Sequence, residues 1–216
     1  MLLDADVLAR GTLGDLLAVM AENGLFEPLW SERILEEATR AIQAMHPDYS
    51  ADRAAGRIEA LRRWWPDSAV TGYADVEADL LEVDPGDRHV AAAAVRGGAD
   101  VLVTKNVRHF PAAPLAARGV AVEDADDFLA AWLAAAPESL DYALSCQLSV
   151  RRVRSALDDL LTDLALDSAP RFAAAAATHF GLSIDLGEAV PKRRAQHRAA
   201  RRSRPDGAAD PDSPDA

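Results

Sequence analysis

Four uncharged residues, Val101-Leu102-Val103-Thr104, stand between the glycine pair Gly97-Gly98 and a polar turn that begins at Asn106. A β-branched run without alternation leaves neither face to water, so it predicts a strand covered on both sides, as in parallel sheets. Parallel strands need long crossovers, usually helices. The rest of the sequence supplies both. Leu2-Leu3 reads as a strand with Asp4 at its end, and Gly119 introduces another at Val120–Val122. Leu25–Trp30 and Ser68–Tyr73 are further short strand candidates.

Helical spacing fills the intervals. Leu13, Leu16, Leu17 and Met20 predict a helix to about Asn23, stopped by Gly24. Ser31 is placed to cap a helix with Leu35, Ala38, Ile42 and Met45 on one face, and Trp30 and Leu35 are spaced for a hydrophobic staple. Further helices are expected over 52–65 and 74–81, and an Ala-rich one runs from Asp87 to Arg96 after the turn Asp84-Pro85-Gly86. The alternation predicts a three-layer α/β/α domain with a parallel sheet over residues 1–135. Beyond it the pattern is helical only. Val150, Val153, Leu157, Leu160, Leu161 and Leu164 recur at helical spacing, and an apolar helix over 170–180 follows. Residues 136–190 therefore read as a small helical C-terminal extension, and 191–216, rich in Arg, Ala, Asp and Pro, as a disordered tail.

The formal net charge is −12, which argues against a general nucleic-acid coating protein. The tail is basic, so the residues before Pro191 stand at −15 with 16 basic and 31 acidic side chains. No long apolar span suggests a membrane helix, and the start Met1-Leu2-Leu3-Asp4 lacks the pattern of a secretory signal, so a cytoplasmic location is expected. The single cysteine, Cys146, forms no internal disulfide and reads as a small core residue.

Three acids and an amide fall where a parallel sheet gathers its strand ends: Asp4, Glu37 beside a buried helix face, Asp87 at a helix start, and Asn106 after the Val101–Thr104 strand. Taken singly, each also reads as a cap or a solvated polar group. Together they repel, since two carboxylates about 4 Å apart oppose each other by roughly 4 kcal/mol at an effective dielectric near 20. Hard oxygen ligands without a Cys/His grouping suit Mg²⁺ or Mn²⁺, which can assist phosphodiester hydrolysis. Asp6 and Asp84 are second-rank candidates, as outer ligands or turn formers.

The strings Leu3-Asp4-Ala5-Asp6-Val7-Leu8, Trp30-Ser31 through Glu36-Glu37, Asp84-Pro85-Gly86-Asp87-Arg88-His89-Val90 and Val103-Thr104-Lys105-Asn106 through Pro111 resemble those of PIN-domain nucleases. The likeness extends over residues 1 to about 190. It is greatest to VapC-type toxins of bacterial toxin–antitoxin pairs, in a subgroup with a helical C-terminal extension. The resemblance implies an endoribonuclease using Mg²⁺ or Mn²⁺, inhibited by a cognate antitoxin, with tRNA or rRNA as substrate and a homodimer as a common assembly. It matches Asp4, Glu37 and Asp87 to the metal-binding acids and places Asn106 where many members carry a fourth Asp. An amide there lacks the charge to help hold a second ion. Around this pocket Arg10, Lys105, Arg108 and His109 are candidates for RNA phosphates, and Trp30 for base stacking or core packing.

Two other readings compete. Asp4-Ala5-Asp6-Val7 after an apolar strand also resembles the nucleophile motif of haloacid-dehalogenase-like phosphatases, a scheme that gives Glu37 and Asp87 no role. A non-catalytic metal-dependent binding module would account for Asn106 but not for three retained acids.

Overall fold

Val101–Thr104 forms the middle strand, β2, of a three-stranded parallel sheet in the computed structural model, which describes residues 1–151 and 156–184. On one side lies β1 (Leu2–Leu3), with Leu2 opposite Leu102 and Leu3 opposite Val103. On the other lies β3 (Ala121–Asp124), paired from Val101–Ala121 to Thr104–Asp124. Leu102, Val103 and Thr104 are fully buried, as an uncharged central strand requires. Because the strands are parallel, the ends marked by Asp4, Thr104 and Asp124 lie along one edge of the sheet.

The helices are α1 (Ala5–Leu8), α2 (Gly11–Glu22), α3 (Glu32–Met45), α4 (Ala51–Trp64), α5 (Ala74–Asp79), α6 (Arg88–Arg96), α7 (Ala112–Ala116), α8 (Ala125–Ala135), α9 (Pro137–Val150), α10 (Leu157–Leu166) and α11 (Pro170–His179). Ser31 caps α3 by accepting from the Ile34 N–H at 3.3 Å. Ser50 does the same for α4 through Arg53 at 3.2 Å. Gly24, just past α2, takes φ +73, a conformation that stops a helix at little strain only in glycine. The chain is thus α/β, with a parallel sheet, mostly helical content and a helical C-terminal part.

Several expectations change. Leu25–Trp30 and Ser68–Tyr73 are not strands; each contributes only to single bridges, Leu2 with Leu29 and Trp30 with Ala69. Pro28 lacks an N–H and Ser31 already begins a helix, so only Leu29 and Trp30 are left to pair. The leucine series after Pro137 is divided: α9 ends at Val150, Arg151 is extended, and α10 begins at Leu157. Val153 and the tail at 191–216 lie outside the described residues. Met45, expected on an apolar face, is 41% exposed.

The C-terminal helices share the core of the sheet domain, with Leu140, Leu144, Leu160, Leu164 and Phe172 in the same buried cluster as Leu2, Leu102 and Val103. Polar clamps fix the docking. Asp167 accepts from the Thr12 and Leu13 N–H groups at the start of α2, at 2.7 and 3.1 Å. Asp126 accepts from Arg171 and Phe172 at the start of α11, at 2.9 and 2.7 Å.

Candidate active site

Asp4 follows β1 directly and continues its ladder, its N–H donating to the Val103 carbonyl at 3.1 Å. Its side chain turns back as the cap of α1, with Oδ1 accepting from the Ala5 N–H at 2.7 Å. The Thr104 hydroxyl, at the end of β2, donates to Oδ2 at 2.6 Å. Asp4 is 4% exposed. Burial, and then the nearby Asp6 charge, push its carboxyl up to about 7 against the opposing pull of these two hydrogen bonds, and Asp87 adds to the rise.

Asp6 joins from the first turn of α1. It accepts from the Lys105 N–H at 3.3 Å and from Asn106 Nδ2 at 3.0 Å. Burial raises its pKa, the Lys105 N–H and the Arg10 and Lys105 charges oppose the rise, and Asp87 reinforces it. Asn106 therefore meets Asp6 as a donor, where a carboxylate would repel it. Its own N–H donates to Thr104 Oγ1 at 3.0 Å, so one hydroxyl ties Asp4 to the turn that carries Asn106.

Asp87 precedes α6 without capping it through its side chain. Its Oδ2 meets His109 Nδ1 at 2.7 Å, and Arg108 Nε donates to His109 Nε2 at 3.3 Å. With Nε2 accepting, the ring carries its proton on Nδ1 and donates it to Asp87. Asp84 is exposed and accepts from the Gly86 N–H at 3.0 Å, forming the tight turn. One ligand atom from each of Asp84, Asp87 and His109 falls within 4.8 Å of the others, a group able to hold a cation.

Glu37 arrives by a different route. It sits on α3, which packs against α1, and its Oε2 meets His89 Nε2 at 3.0 Å. His89 is fully buried in the first turn of α6, two residues beyond Asp87, and so links Glu37 to the helix that Asp87 begins. Arg33 also pairs with Glu37, at 3.4 Å. The carboxylates of Asp4, Asp6 and Asp87 thus act on one another electrostatically, with Glu37 joined to them through α6. The donor set is oxygen-rich, and burial together with neighbouring carboxylate charge raises the proton affinity of Asp4 and Asp6, so it fits a hard divalent cation.

The basic candidates divide. Arg10 is half-buried and its charge acts on Asp6. Arg108 is exposed, and His109 is held between Asp87 and Arg108. Lys105 Nζ is turned to Asp124 at 2.9 Å and to the Ser168 carbonyl at 3.0 Å, joining β3 to the C-terminal helices instead of standing free for a phosphate. Trp30 is 1% exposed and packs edge-on to Trp65 with centroids 6.2 Å apart, which makes it a core residue. Arg88 donates to the Val83 and Leu81 carbonyls, so it braces the turn before α6.

The sequence understated Asp6, offered Thr104 only as an element of the phosphatase scheme, and passed over the Thr104–Asp4 and His89–Glu37 pairings. A hydroxyl closing an otherwise apolar strand was a usable signal for Thr104, and a lone histidine opening an Ala-rich helix was one for His89. A family model described as PIN domain matches residues 1–108, half of the chain. No match was found among the curated proteins or among the solved structures. With the parallel sheet, the carboxylates at its edge and this match taken together, the chain belongs to the PIN-domain family, whose members are generally nucleases.

Proposed function

We propose that the chain is a metal-dependent endoribonuclease that hydrolyses RNA phosphodiester bonds, and that it serves as the toxin of a VapC-type toxin–antitoxin pair. The observation that supports the chemistry best is the burial of Asp4 beside the Asp6 and Asp87 charges, which together push its carboxyl up to about 7. Asp4, Glu37 and Asp87 would hold Mg²⁺ or Mn²⁺, which supplies charge neutralisation and polarises water and phosphate when bound. The chain's own residues set the geometry. Thr104 fixes the Asp4 carboxylate, His89 fixes Glu37, His109 fixes Asp87, and Asn106 turns Asp6 toward the same edge.

The toxin reading brings with it a cognate antitoxin, a cytoplasmic location and a homodimer. It rests on the sequence strings that resemble VapC-type toxins and on the helical C-terminal part. Among the described residues no helix is long and apolar enough to cross a membrane. The family match favours this reading over the haloacid-dehalogenase scheme, and the retained acids favour it over a binding module.

Purified protein should cut structured RNA in Mn²⁺, not in EDTA, and Asp4→Ala should lower the rate at least a hundredfold, on the order of the loss of a principal electrostatic group. Intact tRNA and rRNA alongside hydrolysis of a simple phosphate ester would sink the nuclease assignment. Induced expression should arrest growth, and Asp87→Asn should relieve the arrest. Equal growth of the two strains without an antitoxin would count against the toxin role alone.

A further inference from the structure

Beside the carboxylate edge, bounded by the start of α2, the first half of α4 and the ends of α3 and α10, lies a cleft of about 770 Å³. That is within the range of ligand pockets, roughly 300–1,000 Å³. Arg10, Arg53, Arg57 and Arg151 line it. Its carboxylates are already committed. Asp15 pairs with Arg57 at 2.9 Å, Asp163 with Arg151, and Asp167 takes the two N–H groups of α2. Arg57 also donates to the Arg10 and Gly11 carbonyls, which braces the wall.

The remaining donors point to an anion. Arg10 Nε and Arg151 Nη1 are buried without an acceptor among the described residues, an arrangement that folded proteins rarely keep unless a ligand or water completes it. Arg53 has no carboxylate partner among the described residues and lies over the Tyr49 ring, 3.8 Å from its centroid. His46 stacks on the same tyrosine with centroids 4.4 Å apart and planes within 12°. A ladder of planar groups beside guanidinium charges is what binds single-stranded nucleic acid, by stacking bases and neutralising phosphates. An acidic peptide would use the charges but leave the planar ladder without a role. Arg10 connects the cleft to the reaction site, since its charge also acts on Asp6.

We propose that this cleft holds a stretch of single-stranded RNA running from the carboxylate site, with Arg10, Arg53 and Arg151 on its phosphates and the His46–Tyr49–Arg53 ladder against its bases. The choice of RNA rests on the nuclease reading. The cleft is made by both parts of the chain, because Arg151 and the α10 residues that line it follow the sheet domain. The helical C-terminal part thereby acquires a substrate-holding role.

Binding of a labelled RNA of about 12 nucleotides to the full chain, followed by fluorescence anisotropy in EDTA, separates this from cleavage, with the probe spanning one site size or less for a single-strand groove. Binding should weaken with salt, and Arg53→Glu should reduce the log–log salt slope by about 0.7 or more, the share of one phosphate contact on a single strand. Tyr49→Ala, which removes the ring that His46 and Arg53 both lie against and so takes the ladder apart, should weaken binding roughly fivefold or more, on the order of one lost base stack. Arg53→Gln gives a milder variant at this exposed position, and Arg118→Glu, in the turn before β3, serves as the charge control and should leave binding unchanged. Circular dichroism melts identify any variant that fails to fold.

RNA that does not bind, binding indifferent to Arg53 and Tyr49, or equal competition by an oligoglutamate peptide would overturn the proposal. Binding without any Mn²⁺-dependent cutting would uphold the cleft and sink the nuclease. Cutting at the normal rate and affinity by the Arg53 and Tyr49 variants would do the reverse.

Discussion

Asp4 holds its proton far above its ordinary value of 3.8 because burial and Asp6 disfavour its charge. The folded state therefore keeps a proton that the unfolded chain loses near 3.8, so the contribution of Asp4 to stability is fully present below that pH and is lost as pH rises through about 7. In EDTA the urea midpoint should fall between about pH 5 and about pH 7.5, by an amount on the order of a few kcal/mol in free energy. Asp4→Asn should flatten that slope, and Mn²⁺ should stabilise the wild type more at the higher pH. A wild-type midpoint that rises over this window would show that the cluster does not crowd its charges. At this scale Asp4 and Asp87 were legible because each stands at a strand end or helix start. The partners that give them character were not. Thr104 lies 100 residues from Asp4, and His89 lies 52 from Glu37, separations that only tertiary structure closes. The sequence offered Lys105 as a phosphate ligand for the same reason: Asp124 and Ser168, which take its donors, come near it only through tertiary structure.

Among the elements, those with strong local signals were read well. Ser31 and Gly24 mark helix boundaries by chemistry that acts within a few residues, and the uncharged run of β2 requires burial wherever it is placed. The failed strand candidates had β-compatible residues but too little uninterrupted chain to pair. Helix α2 shows a different limit. Its own N-cap residue, Arg10, provides no side-chain hydrogen bond, and the cap comes from Asp167, 155 residues away from Thr12. A carboxylate that accepts two N–H groups at a helix start is stabilised by those bonds and by the helix dipole together. Asp167→Ala should lower stability by about 1–2 kcal/mol, and Asp167→Asn by less, since an amide oxygen still accepts. Equal urea midpoints for wild type and Asp167→Ala would mean that water replaces the cap without loss.

For the whole molecule, composition and pattern suggested a boundary near residue 135, where strands give way to helices. The pattern marks a change in secondary structure, and it does not say whether the core is divided. Phe172, Leu160 and Leu140 belong to the cluster that contains Leu102, and the contacts of Asp167 with α2, Asp126 with α11 and Lys105 with Ser168 cross the same boundary. Removing the helices after Val150 would uncover the apolar faces of α2 and α8 against which they pack, with roughly 1.5–3 kcal/mol lost for each large apolar side chain returned to water. Few domains have that much to spare, since net stability is typically about 5–15 kcal/mol. The intact chain should therefore unfold in one transition, with fluorescence of Trp30 and Trp65 in the sheet domain and far-ultraviolet dichroism of the helices changing together. Two separated transitions, or a protease-stable fragment ending near Val150 that keeps its full melting temperature, would show that the C-terminal helices are an accessory that the sheet domain can lose. A single transition would mean that a substitution on α10 or α11 destabilises the carboxylate edge as surely as one beside Asp4, because both draw on one core.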